Sequence, residues 1–158
     1  MDHIEFKKEL YPSGRFAHVF TKLHAVAMVK YDKVIVLDTD VLIRNDMDEL
    51  FEREAPAAVR RHPQGKYLDY AEIDGRHLFD GKRNQIGSIN AGLMLLETSG
   101  KDLHKMEIQL ITGSVPGKIP LAAPEQDYLT RYYVEGWNCL DIQWNYQLHQ
   151  LPFCSRLR

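Results

Sequence analysis

A short apolar segment followed by two closely spaced carboxylates constrains the fold of this chain more than any other feature. Residues 34–37 read Val-Ile-Val-Leu, and Asp38, Thr39 and Asp40 follow directly. An unbroken run of β-branched and leucine side chains is typical of a strand buried on both faces in an α/β sheet. Ligands of open α/β sheets bind just beyond the carboxyl ends of such strands. We therefore expect Asp38 and Asp40 to lie at a functional site.

The spacing of Asp38 and Asp40 suits a divalent cation. If the strand continues through both residues, alternate side chains point to the same face, and both carboxylates can reach one ion. Mg²⁺ and Mn²⁺ prefer such oxygen ligands and keep open positions for phosphate oxygens. A structural alternative stays open, because aspartate is common in turns and either side chain could cap the following segment.

Size and composition indicate one globular domain. The chain has 158 residues, with 20 basic and 22 acidic side chains and a net charge of −2, which gives no reason to expect nucleic acid as a partner. No apolar run approaches the roughly 18 residues of a membrane span, and the charged amino terminus does not match a signal peptide. The compartment stays open, with the cytoplasm and the Golgi both compatible. Cys139 and Cys154 are expected to be free thiols, because two isolated cysteines make no disulfide framework or zinc site.

Periodicity divides the chain into alternating helices and strands. Phe16, Phe20, Leu23 and Ala27 recur with helical spacing, which predicts an amphipathic helix over residues 15–30 before the first strand. The remaining predicted elements are a helical turn at 47–51, a strand at 57–59, a long loop at 61–86, a strand at 86–96, a helix around Leu103, Met106 and Leu110 that ends near Gly113, a helix between Pro124 and Gly136, and a strand at 137–142.

Two further segments carry candidate site residues. Asn90, Ala91 and Gly92 begin the strand at 86–96, where small residues would let a ligand approach the backbone. A glycine bulge explains them equally well. The last predicted helix carries Glu125, Gln126 and Asp127 in its first turn. Acidic side chains at a helix amino terminus also complement the helix dipole without any catalytic role.

Six groups of residues, in order along most of the chain, resemble the retaining nucleotide-sugar glycosyltransferases of family 8, which include glycogenin and bacterial lipooligosaccharide galactosyltransferases. The groups are Thr21-Lys22-Leu23-His24, Tyr31-Asp32-Lys33 with Leu37-Asp38-Thr39-Asp40, Asp48-Glu49-Leu50-Phe51, Asn90-Ala91-Gly92, Glu125-Gln126-Asp127, and Trp144-Asn145-Tyr146. The resemblance implies a GT-A fold, a Rossmann-like α/β/α sandwich that binds a UDP-sugar and Mn²⁺. It implies transfer of a hexose to an acceptor hydroxyl with retention of anomeric configuration.

The resemblance also implies roles for individual residues. Asp38-Thr39-Asp40 would bind the donor, with the metal on Asp38 and Asp40, and Lys22 would contact the donor sugar or phosphate. A lysine on an amphipathic helix is otherwise usually solvated. The segment 90–92, Asn-Ala-Gly, would touch the donor sugar.

The acidic segment, residues 125–127, would act at the reacting centre. Gln126 would lie beneath the anomeric carbon, and a carboxylate of Glu125 or Asp127 would bind sugar hydroxyls. Glu125 stands where the family has aspartate, so its longer side chain changes the reach. We favour front-face transfer, in which the departing phosphate takes the acceptor's proton, because a glutamine amide is a poor nucleophile.

Two family segments have no match within residues 1–158. The first strand with its uridine contacts would precede Met1, and an H-x-x-G-x-x-K-P-W segment with the third metal ligand would follow Arg158. His149 lacks the Gly, Lys and Trp of that segment, and we expect it to be a loop histidine. The expectation is therefore a single partial GT-A domain, truncated at both ends, with weak or no activity by itself.

Two alternatives to a transferase stay open. One is a catalytically inactive GT-A-like binding or scaffold module. The other is a phosphate or phosphodiester hydrolase using Asp38 and Asp40, which would need further ligands grouped in sequence. For the transferase, the sequence specifies neither the donor sugar, nor the acceptor among carbohydrate, lipid-linked glycan or protein, nor the oligomeric state.

Overall fold

A computed structural model of the chain describes residues 18–61, 88–115, 123–134 and 136–147. The elements, in chain order, are a 3₁₀ helix at Val19–Ala27, strand β1 at Lys33–Leu37, a 3₁₀ helix at Asp48–Glu52, strand β2 at Ala57–Arg60, strand β3 at Ile89–Glu97, helix α1 at Gly100–Thr112, helix α2 at Pro124–Tyr132, strand β4 at Asn138–Leu140 and a 3₁₀ helix at Ile142–Trp144. Among these residues no helix is long and apolar enough to cross a membrane.

The four described strands form one mixed sheet in the order β1-β3-β2-β4. β3 runs antiparallel to both β1 and β2, and β2 runs parallel to β4. β1, β2 and β4 therefore point in one direction and β3 in the other. The carboxyl ends of these three strands therefore lie next to the amino end of β3, at one end of the sheet.

Alternate side chains of the sheet supply two separate apolar layers. Val34 and Val36 of β1 face a layer with α1, α2 and the first 3₁₀ helix, whose buried members include Phe20, Met106 and Tyr128. The opposite layer also draws on the sheet and on the short 3₁₀ segments, and its members include Ile35, Leu37, Leu50, Leu93, Leu95 and Trp144. Both faces of the sheet are thus covered, as the α/β prediction requires.

Helix α1 matches the sequence-based prediction closely. The Ser99 hydroxyl accepts a hydrogen bond of 3.1 Å from the Asp102 amide, which caps the start of the helix. Gly113 ends it with φ 73°, a left-handed conformation that glycine adopts without strain. Leu103, Met106 and Leu110 form its buried stripe.

Several predicted elements differ in extent or environment. Strand β1 is only half-buried along its length, not buried on both faces, because it lies at the edge of the described sheet and pairs with β3 alone. The first helix is a 3₁₀ helix over Val19–Ala27, within the predicted 15–30. Helix α2 has nine residues and ends at Tyr132, short of the predicted length. β4 stops at Leu140, because the Asp141 side chain accepts a hydrogen bond from the Gln143 amide and starts a 3₁₀ turn.

Some predictions concern residues outside the described ranges. These are nearly all of the predicted loop 61–86, His149 and Cys154. Cys139 is a free thiol, as expected, and burial raises its pKa.

Candidate functional site

The candidate site lies at the end of the sheet where β1 ends and β3 begins. The Asp38 amide, one residue past β1, donates a hydrogen bond of 2.9 Å to the Gly92 carbonyl near the start of β3. Helix α2 begins against the same part of β3, since the Gln126 side chain accepts a hydrogen bond of 3.0 Å from the Ala91 amide. The sheet direction and the docking of α2 thus bring together segments that are far apart in sequence.

Lys22 forms ion pairs with two carboxylates at this end of the sheet. Its ammonium forms an ion pair with Asp38 and a second one, at 3.2 Å, with Glu125. The three side chains are partly buried, with 25% of Lys22, 33% of Asp38 and 14% of Glu125 exposed. The first 3₁₀ helix supplies Lys22, the turn after β1 supplies Asp38, and α2 supplies Glu125. The sequence predicted all three residues as site members, and the structure places them in contact.

The charges around Lys22 determine its protonation. Burial of the ammonium lowers its pKa, but the hydrogen bonds and negative charges of Asp38 and Glu125 outweigh burial, so the pKa of Lys22 lies above its ordinary value. Lys22 therefore carries a positive charge at neutral pH. A fixed cation with two carboxylates is the kind of arrangement that can bind and orient a charged, hydroxyl-rich ligand.

Asn90, Ala91 and Gly92 lie in an irregular part of the sheet. Ala58 pairs with Met94 but its neighbour on β2 pairs with Asn90, so the residues of β3 between them have no partner on β2. Side chains replace the missing strand contacts. Gln126 accepts from the Ala91 amide, and the Asn90 side chain accepts from the Gly92 amide at 3.0 Å. The bulge that the sequence left as an alternative is present, and it lies at the candidate site.

The three acidic-segment residues face different surroundings. Glu125 reaches Lys22, and Gln126 holds the bulge of β3. Asp127 is only 2% exposed. Its carboxylate accepts a hydrogen bond of 3.0 Å from the Ala123 amide and lies 3.8 Å from the Arg61 guanidinium. These contacts stabilise the start of α2, and a direct contact of Asp127 with a sugar stays a prediction.

Asp38 and Asp40 do not share one strand. β1 ends at Leu37, and the Val41 amide donates a hydrogen bond of 3.2 Å to the Asp38 carbonyl, which makes residues 38–41 a turn. The argument that both side chains extend from the same strand face is therefore wrong. Thr39 and Asp40 are exposed. Two oxygen-donor carboxylates on an accessible turn still fit a hard cation in chemical type, although the described residues contain no cluster of three metal-ligating side chains.

One known protein family matches this chain over most of its length. The sequence profile of glycosyl transferase family 8 matches residues 1–152, which is nearly the whole chain. The chain belongs to glycosyltransferase family 8. Family membership gives it the GT-A fold, and the mixed sheet with helices is the α/β architecture expected for it.

Individual relatives of this family 8 chain come from a virus and from cellular organisms. The protein R707 of Acanthamoeba polyphaga mimivirus is 32% identical over 93% of this chain and 51% of its own length. The glycosyltransferase GlyF of Streptococcus pneumoniae is 21% identical over 98% of this chain and 38% of its own length. A protein of Schizosaccharomyces pombe is 25% identical over 60% of this chain. The chain thus spans about half the length of the viral relative and less of the others.

Three residues that contact the candidate site were not among the site residues predicted from the sequence. Thr130 connects α2 to β3, Arg61 lies beside Asp127, and Asn145 packs on Gly92. Asn145 belongs to the Trp-Asn-Tyr segment, but nothing in that segment indicates contact with residue 92. Thr130 lies one helical turn after Gln126, so helical spacing could have placed both on one face of α2.

Proposed function

We propose that this family 8 protein transfers a hexose from a UDP-sugar to an acceptor hydroxyl with retention of configuration. The observation that carries the proposal is the Lys22 ammonium held between Asp38 and Glu125 beside the bulge of β3. Such a site offers a cation for the negative charge of a diphosphate and carboxylates for sugar hydroxyls. GlyF, whose name describes it as a glycosyltransferase, supports the reaction type.

Asp38 and Asp40 would hold Mn²⁺ or Mg²⁺ in this site. Bound there with the donor, the ion would offset negative charge on the diphosphate leaving group. Lys22 supplies a second positive charge that is already in place. Thr39, between the two aspartates, would contribute to donor binding from the exposed turn.

The reaction would proceed on one face of the sugar. The acceptor oxygen forms a bond to the anomeric carbon as the bond to UDP breaks, and the departing phosphate oxygen takes the acceptor's proton. Gln126 would lie below the anomeric carbon, with its carbonyl oxygen oriented by the Ala91 amide. Glu125 would accept hydrogen bonds from sugar hydroxyls, and segment 90–92 would pack against the sugar.

A binding or scaffold module without catalysis is the second candidate function. The observation in its favour is that the described residues contain no group of three or more metal-ligating side chains, the number that structural and catalytic metal sites usually have. Such a protein would keep the fold and the Lys22 cluster but would bind metal weakly.

Titration of UDP, with and without Mn²⁺, tests the proposed function. Calorimetry is performed on the purified protein, on Asp40→Ala and on a matched control, Asp32→Ala, which removes an exposed carboxylate before β1. Manganese-dependent binding that Asp40→Ala loses and Asp32→Ala retains would support the proposal. A folded wild-type protein that binds no UDP would contradict it and favour the scaffold module.

A further inference from the structure

Asn145 is a buried amide with an unused hydrogen-bond donor. It follows the last 3₁₀ helix, and only 8% of the residue is exposed. Its Nδ2 is fully buried and has no hydrogen-bond partner among the described residues. Burying an amide donor without an acceptor costs free energy, and most buried polar groups in folded proteins are paired. An exception of this kind calls for an explanation.

The unused donor faces the irregular start of β3. Asn145 Nδ2 lies 3.0 Å from the point that a Cβ atom would occupy on Gly92, so only glycine lets the amide come this close. The Asn90 Oδ1 atom lies 3.3 Å from the same point. This oxygen accepts a hydrogen bond from the Gly92 amide and makes none with Asn145 Nδ2.

We propose that Asn145 is a further donor-binding residue, whose Nδ2 donates a hydrogen bond to an oxygen of the hexose in the nucleotide sugar. The inference rests on the proposed function, because it assumes that the hexose lies against segment 90–92. A neutral amide donor matches a hydroxyl or ring oxygen, whereas the diphosphate has the charged Lys22 nearby. Ligand binding would thus supply an acceptor that the described part of the chain does not provide.

The test separates stability from binding through Asn145→Leu, which keeps the approximate size and removes the amide. Because the unpaired donor is lost, the variant should be at least as stable to urea as wild type. Its Kd for UDP should stay unchanged. The donor probe is UDP-glucose or UDP-galactose, whichever wild type binds more tightly in the presence of Mn²⁺. The Kd of the variant for this donor should rise about tenfold, as expected for one lost hydrogen bond.

Asn138→Leu is the matched control. The Asn138 side chain donates to the carbonyls of Glu54 and Pro56, so its loss should lower stability and leave the ratio of UDP-hexose to UDP affinity unchanged. Asn145→Ala repeats the comparison in case leucine does not fit.

The outcomes distinguish the two proposals. If the ratio of UDP-hexose affinity to UDP affinity is the same in the Asn145 variants as in wild type, this inference is overturned and the proposed function stands. If folded wild type binds neither UDP nor either UDP-hexose, the proposed function fails and the inference fails with it. A selective loss of hexose affinity in a variant of undiminished stability supports the inference, since a purely structural residue would not give it.

Discussion

Lys22 compensates two carboxylates that belong to different elements, Asp38 after β1 and Glu125 at the start of α2. A divalent cation approaching Asp38 must share that carboxylate with the lysine or displace it. The same ammonium that would favour a diphosphate therefore opposes binding of metal alone. Because of this competition, we expect the affinity for the metal to be higher in the presence of the nucleotide than in its absence.

The variant Lys22→Met should bind Mn²⁺ more tightly in the absence of nucleotide. Removing a partly exposed ion pair frees Asp38, and a pair of this kind contributes roughly 1 kcal/mol, or about fivefold in affinity. Titration of free Mn²⁺ by electron paramagnetic resonance measures the change. Lys33→Met is the control, because Lys33 donates to the Phe51 and Arg53 carbonyls and contacts neither carboxylate. A lower affinity for Mn²⁺ in Lys22→Met would contradict the competition.

Residue identities at this site were partly predictable from the sequence. Lys22, Asp38 and Gln126 were predicted as site residues because short segments around them carry chemical information of their own, and the structure places all three at the candidate site. Asn145 was not predicted as a site residue, because its contact with Gly92 is created only by the folded sheet. The shared strand face of Asp38 and Asp40 was wrong, since the sequence does not show that β1 ends at Leu37.

At the scale of elements, Thr130 fixes helix α2 against strand β3. Its hydroxyl accepts a hydrogen bond of 3.2 Å from the Ile89 amide and donates one of 2.7 Å to the Gln126 carbonyl. Gln126 in turn accepts from the Ala91 amide. Two amides of β3, those of Ile89 and Ala91, are therefore satisfied by two side chains of α2 that lie one helical turn apart.

Replacing Thr130 by valine should destabilise the protein by about 2 kcal/mol, because the buried Ile89 amide is left without an acceptor. Thr130→Ser keeps the hydroxyl and should lose about 1 kcal/mol, mainly from the missing methyl group. Urea unfolding gives both values, and faster hydrogen exchange at Ala91 in the valine variant would show that α2 has loosened from β3. Equal losses in the two variants would mean that the hydroxyl makes no special contribution.

A second connection, between α1 and α2, predicts a dependence of stability on pH. The Tyr132 hydroxyl donates a hydrogen bond of 2.6 Å to Asp102, and this bond lowers the pKa of Asp102 below its usual value of 3.8, while burial acts in the opposite direction. A lowered pKa in the folded state stabilises the protein above the unfolded pKa. That stabilisation is lost as the pH falls through the folded pKa.

Tyr132→Phe should therefore cost roughly 1 kcal/mol at pH 7, a value reduced because Asp102 is partly exposed to solvent. The difference from wild type should shrink below about pH 4, as Asp102 becomes protonated in both proteins. Urea unfolding over a pH series measures it. Tyr133→Phe, which removes a neighbouring hydroxyl that forms no hydrogen bond in the described structure, should show no such trend between pH 3 and 7. A constant difference for Tyr132→Phe would exclude the linkage.

The boundaries of an element could be predicted where they depend on neighbouring residues in the sequence. The start and end of α1 were predictable, because Ser99 and Gly113 act through their own backbone neighbours. The irregular pairing of β3 was only one of two alternatives from the sequence, since it depends on which residues of β2 lie opposite. The same holds for the half-buried state of β1, because burial of a strand depends on its position in the sheet and not on its composition alone.

At the scale of the whole molecule, β3 is the centre of the described sheet. It pairs with β1 and β2, and its residues 93–96 are almost fully buried against both apolar layers. β1 lies at the edge and stays half-buried although its side chains are equally apolar. Stability should therefore be concentrated in β3, and the end of β1, where Asp38 begins the site turn, should open more easily.

Two truncations that face the same apolar layer test this distribution. Leu95→Ala in β3 should lower the free energy of unfolding by about 3 kcal/mol, because a fully buried side chain leaves a cavity. Ile35→Ala, at the position of β1 that pairs with Leu95, should lower it by about half as much, since its side chain is already partly in contact with water. Urea unfolding followed by tryptophan fluorescence provides both values. Equal costs would show that β1 contributes to the core as fully as β3 does, and the greater mobility expected for the site turn would then have no structural basis.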